Sequence, residues 1–90
     1  MPGAARVLVD NAGGVIAGPG IPSVKINGAT ACVKGDAVFT HGSGAHGNAH
    51  FSFLFSATVF IGGLNAVRAG DLATCFHAAF PGSSDVLIGG

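Results

Sequence analysis

The sequence predicts an all-β fold of three hairpin-like units around a pseudo-threefold axis. Three observations predict it. First, Val24-Lys25-Ile26-Asn27-Gly28, Val59-Phe60-Ile61-Gly62-Gly63 and Val86-Leu87-Ile88-Gly89-Gly90 repeat one pattern, V-x-I followed by Asn-Gly or Gly-Gly. Second, Ala5 to Asp10, Ala31 to Asp36 and Ala66 to Asp71 repeat A-x-x-x-x-D, and Val24 to Ala31 and Val59 to Ala66 are both seven steps apart. Third, no window carries a helical period, and 16 glycines in 90 residues oppose one.

Each V-x-I run is short and β-branched, and it ends in a dipeptide suited to a tight hairpin turn. The segments after those turns, 29–34 and 64–69, read as return strands. Each then enters a turn at Asp, where a preceding Gly supplies positive φ and the carboxylate accepts nearby backbone amides. The chain therefore divides into units of about 5–28, 31–63 and 66–90 within a single domain, 1–90. A loop separates each Asp from the next V-x-I run. The first, 11–23, is rich in Gly and Pro. The second, 37–58, is the longest and holds His41, His46 and His50. The third, 72–85, holds Cys75 and His77. Loops at equivalent places in a threefold array lie at the same end of the molecule.

Composition sets bounds on function. Lys+Arg is 4 and Asp+Glu is 4, so net charge is zero and charged residues are 9%, against about 25% in an ordinary domain. That balance excludes the electrostatic footprint of a nucleic-acid or anionic-membrane binder. With 49% hydrophobic residues the chain is no disordered segment, and much of its exterior should be covered by a partner. The N-terminus shows no apolar core of a signal peptide. Residues 37–67 lack Lys, Arg, Asp and Glu, but the strongly apolar part, 51–61, falls well short of the roughly 20 residues of a membrane-spanning helix. Two cysteines, Cys32 and Cys75, are too few for a disulfide scaffold.

Ala4-Ala5-Arg6, Lys34-Gly35-Asp36, Arg68-Ala69-Gly70-Asp71 and the three V-x-I runs together resemble the PAAR-repeat family. The first turn departs from the pattern, with Val9-Asp10 in place of Gly-Asp. The resemblance covers essentially the whole chain and implies no appended toxin domain. It implies a small β-cone whose broad base sits on a trimeric VgrG or phage-spike protein, one copy per trimer. It also implies an apex held by a metal, usually zinc, through three His and one Cys.

The residues support such a centre on their own. Cys75 and His77 stand two apart, so on an extended stretch their side chains point the same way. Histidines of the second loop would complete a Cys/His3 shell of the closed structural type, suited to Zn2+ with iron as the alternative. The expected ligand order is Cys75, His77, His41, His50, then His46, with His46 as the spare or a supporting donor. Ordinary loop histidines and a buried Cys75 are the plainer reading. Phe76 and Phe80, beside these ligands, are expected to shield the metal. Cys32 matches Val67 in the repeat and belongs to the core. Asp10, Asp36 and Asp71 are turn-formers, and Arg6, Lys34 and Arg68 are expected in exposed pairs of about 0–1 kcal/mol.

The chain contains no Glu, which opposes a zinc-dependent hydrolase. The function expected is a non-catalytic, metal-stabilised tip of a contractile injection spike, such as a type VI secretion system, that aids membrane puncturing and cargo or effector attachment. It would be made in the cytoplasm and delivered at the spike tip, with only transient membrane contact. A self-assembling or adhesive β-protein is the alternative.

Overall fold

Short strands account for nearly all the regular structure in the computed structural model, which describes residues 1–89. They are β1 (Asn11–Ala12), β2 (Gly14–Gly18), β3 (Ile21–Ile26), β4 (Ala29–Ala31), β5 (Ala37–Val38), β6 (Phe60–Ile61) and β7 (Leu64–Asn65). A single 3-10 turn spans Gly44–His46. β1, β2 and β5 form one antiparallel sheet, while β3 with β4 and β6 with β7 form two-stranded hairpins. The body measures 32 × 23 × 23 Å.

Two of the three expected hairpins form where the V-x-I runs placed them. Asn27 and Gly28 turn the first, at φ 54° and 82°, and Gly62 and Gly63 turn the second, at 59° and 82°. Paired positive φ values are what a two-residue hairpin turn requires, so Asn-Gly and Gly-Gly suit it. The third run is completed differently. Val86 and Ile88 pair with the start of the chain: Ala4 N–H donates to Val86 O and Pro2 O accepts from Ile88 N–H, both at 2.8 Å. Gly3 and Leu87 form the bridge between them. The third hairpin is thus built from the two chain ends, and its pairing crosses the 66–90 unit. The Gly89-Gly90 turn expected there includes Gly90, which lies outside the described residues.

The return strands meet on the pseudo-threefold axis. Ala5 N–H donates to Val67 O at 2.9 Å, Val67 N–H to Cys32 O at 3.1 Å and Cys32 N–H to Ala5 O at 3.1 Å. The three bonds close a ring. Bridges Ala4–Arg68, Arg6–Ala31 and Val33–Ala66 surround it. Consecutive residues of a strand face opposite sides, so each return strand feeds two layers. Ala4, Ala31 and Ala66 join Ile26 and Ile88 on one side, with Val24, Val59 and Ile61 packed against them. Ala5, Cys32 and Val67 join Ile16, Val38, Phe51 and Cys75 on the other. Cys32 is therefore a core residue, as expected, and its burial pushes the thiol pKa far up, with the Asp36 charge adding to it.

The Asp turns anchor the ring. Asp10 Oδ2 accepts the Arg6 N–H at 2.9 Å, Asp36 Oδ2 the Val33 N–H at 2.8 Å and Asp71 Oδ2 the Arg68 N–H at 2.8 Å. All three acids are buried. In the second and third turns Gly35 and Gly70 precede the Asp at φ 93° and 92°. The first turn is one residue longer, so that Ala4, and not the Ala5 matched by sequence, is the counterpart of Ala31 and Ala66, and Leu8, at φ 65°, takes the left-handed conformation instead. That insertion explains the missing Gly before Asp10.

The expectation of exposed charge pairs needs correction. Arg6 and Arg68 grip Asp10 and Asp71 through Nε and a terminal nitrogen at 2.9–3.1 Å, and the acids are almost fully sequestered. Those side-chain bonds raise both guanidinium pKa values. Among the described residues Lys34 makes no such pair; its Nζ lies 4.9 Å from the centre of the Phe55 ring.

Asp10 also accepts the Gly82 N–H through Oδ1 at 3.1 Å. Asp10→Ala should therefore cost on the order of 3 kcal/mol, since hydrogen bonds to a buried charge are involved and Arg6 is left unpaired. Urea unfolding measures it. A loss below about 1 kcal/mol, the scale of an exposed pair, contradicts the anchoring role.

Candidate metal centre

Beyond the layer of Ile16, Phe51 and Cys75, the second and third loops fold tightly enough to bring four donor side chains together. In the second loop the backbone reverses at Gly42 and Gly44, at φ 154° and 64°. The 3-10 turn follows, and His41 N–H donates to His46 O at 3.2 Å. Thr40 Oγ1 donates to Gly47 O at 3.0 Å and closes the loop. His46 is thereby folded back onto His41.

The third loop reaches the same place by a turn, not by the extended stretch the sequence suggested. Phe76 N–H donates to Ala73 O at 2.9 Å and Ala73 N–H to His77 O at 3.1 Å. Phe76 itself sits at φ 66°, a conformation costly for an aromatic residue. Its ring stacks on Phe53 with centroids 5.6 Å apart. Cys75 and His77 converge across this turn.

One ligand atom from each of His41, His46, Cys75 and His77 lies within 4.8 Å of all the others. The three imidazole centroids form a nearly equilateral triangle with sides of 5.0, 5.1 and 5.0 Å. His41 Nε2 is 3.1 Å from His77 Nδ1 and 3.2 Å from His46 Nδ1, and Cys75 Sγ is 3.6 Å from His77 Nδ1. In a tetrahedral shell with metal–nitrogen bonds of about 2.05 Å and metal–sulfur bonds of about 2.3 Å, donors stand about 3.3 Å (N to N) and about 3.6 Å (N to S) apart. The donor spacing fits such an ion.

The protonation of His41 also fits. Its Nδ1 lies 2.9 Å from Phe39 O. A carbonyl only accepts, so Nδ1 carries the proton and Nε2 presents its lone pair to the other donors. These four residues can hold a metal ion.

His46 and His50 exchange the places the sequence gave them. His50 does not join the group. Its backbone bridges Ala37, its N–H donates to Thr74 Oγ1 and its Nδ1 bonds Asn48 O. His50 is exposed and lines an open pocket of about 340 Å³ together with Phe39 and Thr40. The strand pairing that fixes its backbone holds it aside, whereas the Gly42–Gly44 reversal brings His46 in. Phe76 and Phe80 do not shield the group: both are 69% exposed.

The PAAR motif family matches residues 9–75, well over half of the chain. The chain belongs to the PAAR-motif family. No curated protein gives a significant match. For this PAAR chain, membership carries the family's general role, a structural spike tip of the type VI kind. Three of the four clustered side chains, His41, His46 and Cys75, fall in the matched stretch, and His77 lies two residues beyond it. Among the described residues no helix is long and apolar enough to cross a membrane.

The geometry separates the histidines experimentally. Cys75→Ser with His77→Ala, and His46→Ala alone, should each abolish stoichiometric zinc uptake by elemental analysis. Each should lower Tm by about 10 °C or more, the shift that a loss of about 2 kcal/mol causes in a domain of this size. His50→Ala should change neither quantity. Zinc loss on replacing His50, with retention on replacing His46, would restore the order expected from sequence.

Proposed function

We propose that this PAAR chain is the non-catalytic tip of a contractile injection spike, capping a trimeric VgrG or phage-spike protein with one copy per trimer. The observation that carries the reading is the ring of Ala5, Cys32 and Val67. It lets one polypeptide present three equivalent outer strands to a threefold partner. Residues at the x position of V-x-I stand exposed in each copy: Lys25, Phe60 and Leu87. Two of the three are large and apolar, a composition suited to a covered face. Among the described residues, the β3–β4 and β6–β7 hairpins are two-stranded, so their outer edges are available for strand addition by the spike.

Zinc is the ion proposed, because one thiolate and three imidazoles in tetrahedral array suit it, with iron the alternative. Its contribution is structural. Four protein ligands fill the shell and leave no position for the water a hydrolytic site requires. The chain has no Glu to serve as a base, and Asp10, Asp36 and Asp71 are committed to turns. The ion would tie the second loop to the third, because each supplies two of the four ligands. Delivery from the cytoplasm on the spike, with cargo attached, completes the reading.

Size-exclusion chromatography with light scattering tests it. Mixed with a trimeric spike protein, the chain should elute as one copy per three spike chains. Phe60→Asp with Leu87→Asp should abolish that complex while lowering Tm by no more than about 4–8 °C, because exposed substitutions rarely exceed about 0.5 kcal/mol each, or about 1 kcal/mol for the pair. Large homo-oligomers without spike, or no association at micromolar concentrations, would overturn the proposal.

A further inference from the structure

The three loops that gather at the metal centre contribute unequally. The second and third supply two side chains each: His41 with His46, and Cys75 with His77. The first supplies none, yet its backbone lies directly against them. Ala12 O accepts from Cys75 Sγ at 3.7 Å. The next two residues are Gly13 and Gly14, and both are hemmed in by the ligands. A Cβ on Gly13 would overlap His77 Nδ1 and stand 2.6 Å from His41 Nε2. A Cβ on Gly14 would stand 2.5 Å from Phe39 O and 3.0 Å from His41 Nδ1. Real Cβ contacts essentially never fall under 3.0 Å.

We infer that Gly13 and Gly14 are positioning residues of the metal centre, the first loop contributing a wall without side chains against which His41 and His77 are set. The inference rests on reading His41, His46, Cys75 and His77 as metal ligands. Gly13 acts on two ligand atoms from two different loops. Any side chain there drives His41 Nε2 and His77 Nδ1 apart, and the 3.1 Å approach between them is lost. Gly14 acts one bond further out. A side chain there displaces Phe39 O, the acceptor that keeps the proton on His41 Nδ1 and so the lone pair on Nε2.

Left-handed backbone alone does not account for these glycines. Gly28 has nearly the same φ as Gly13, +82° against +84°, but nothing lies within 4 Å of the Cβ it would carry. Gly14 has no positive φ, so its space is restricted by neighbours only. Gly13→Ala and Gly28→Ala therefore share one backbone penalty and differ in contact with the ligands.

Co2+ titration of the intact chain separates the possibilities, because tetrahedral thiolate-bound Co2+ has intense visible absorption. The parent should bind one equivalent with that spectrum. Gly13→Ala should weaken Co2+ and Zn2+ binding by about tenfold or more, the scale of disturbing the support of a ligand, and alter the visible bands. Gly28→Ala should bind as the parent does, although both variants lose stability in the metal-free form. Gly14→Ala should weaken binding severalfold without the backbone penalty. Parental affinity and spectrum in Gly13→Ala overturn the inference. Should Gly13→Ala fail to fold by circular dichroism, Gly14→Ala decides, and parental binding there overturns it. A parent chain that takes up neither ion instead refutes the ligand assignment itself, and the inference with it.

Discussion

Three backbone hydrogen bonds, Ala5 to Val67 to Cys32 and back to Ala5, hold this molecule together. Each joins a different pair of return strands, so the ring closes only when all three arrive. Its polar groups are sealed from water, and an unmade bond there costs the full desolvation of its donor and acceptor. Crowding on the axis explains the side chains that surround it. Three strands approaching one point leave room for Ala4, Ala31 and Ala66 on one side and for Ala5, Cys32 and Val67 on the other. The buried acids then act one residue out, each accepting the N–H that follows a ring residue.

Around that symmetric centre the three copies have diverged in ways that divide the work. The first turn carries an inserted Leu8 and its loop runs through paired glycines. The second has Val33 where the others have Arg, so Asp36 is held by the Val33 and Gly20 amides without an arginine. Its loop is the longest and folds twice on glycines. The third places a strained Phe76 between two donors and relieves part of that cost by stacking on Phe53. Repetition supplies the scaffold, and the loops supply the chemistry.

Much of this architecture was legible in the residues. The seven-step spacing from Val24 to Ala31 and from Val59 to Ala66 located two hairpins, and the equivalence of Cys32 with Val67 placed Cys32 in the core. The recurring Asp was identified as a turn-former. What escaped was set by contacts distant in sequence or by backbone reversals. Pairing of Val86 and Ile88 with Pro2 and Ala4 has no local signature. His46 approaches His41 because Gly42 and Gly44 turn the chain sharply, whereas a loop drawn as a simple arc favours the flanking His50. Cys75 and His77 converge across a turn and not along the extended stretch that their spacing suggested. Arg6 and Arg68 looked like surface charges because sequence does not reveal that Asp10 and Asp71 are sequestered.

The closure of the third hairpin by both termini bears on how the molecule comes into being. Pro2 and Ile88, bonded to each other, are separated by almost the entire polypeptide, and bringing such distant residues together costs more chain entropy than closing either local hairpin. The two local hairpins can form as they leave the ribosome. The clasp cannot, because Val86 and Ile88 are synthesised long after their partners Ala4 and Pro2. Pro2 and Ala4 must therefore wait unpaired until residues 86–88 have emerged, and whatever precedes Pro2 leaves the fold beside whatever follows Ile88.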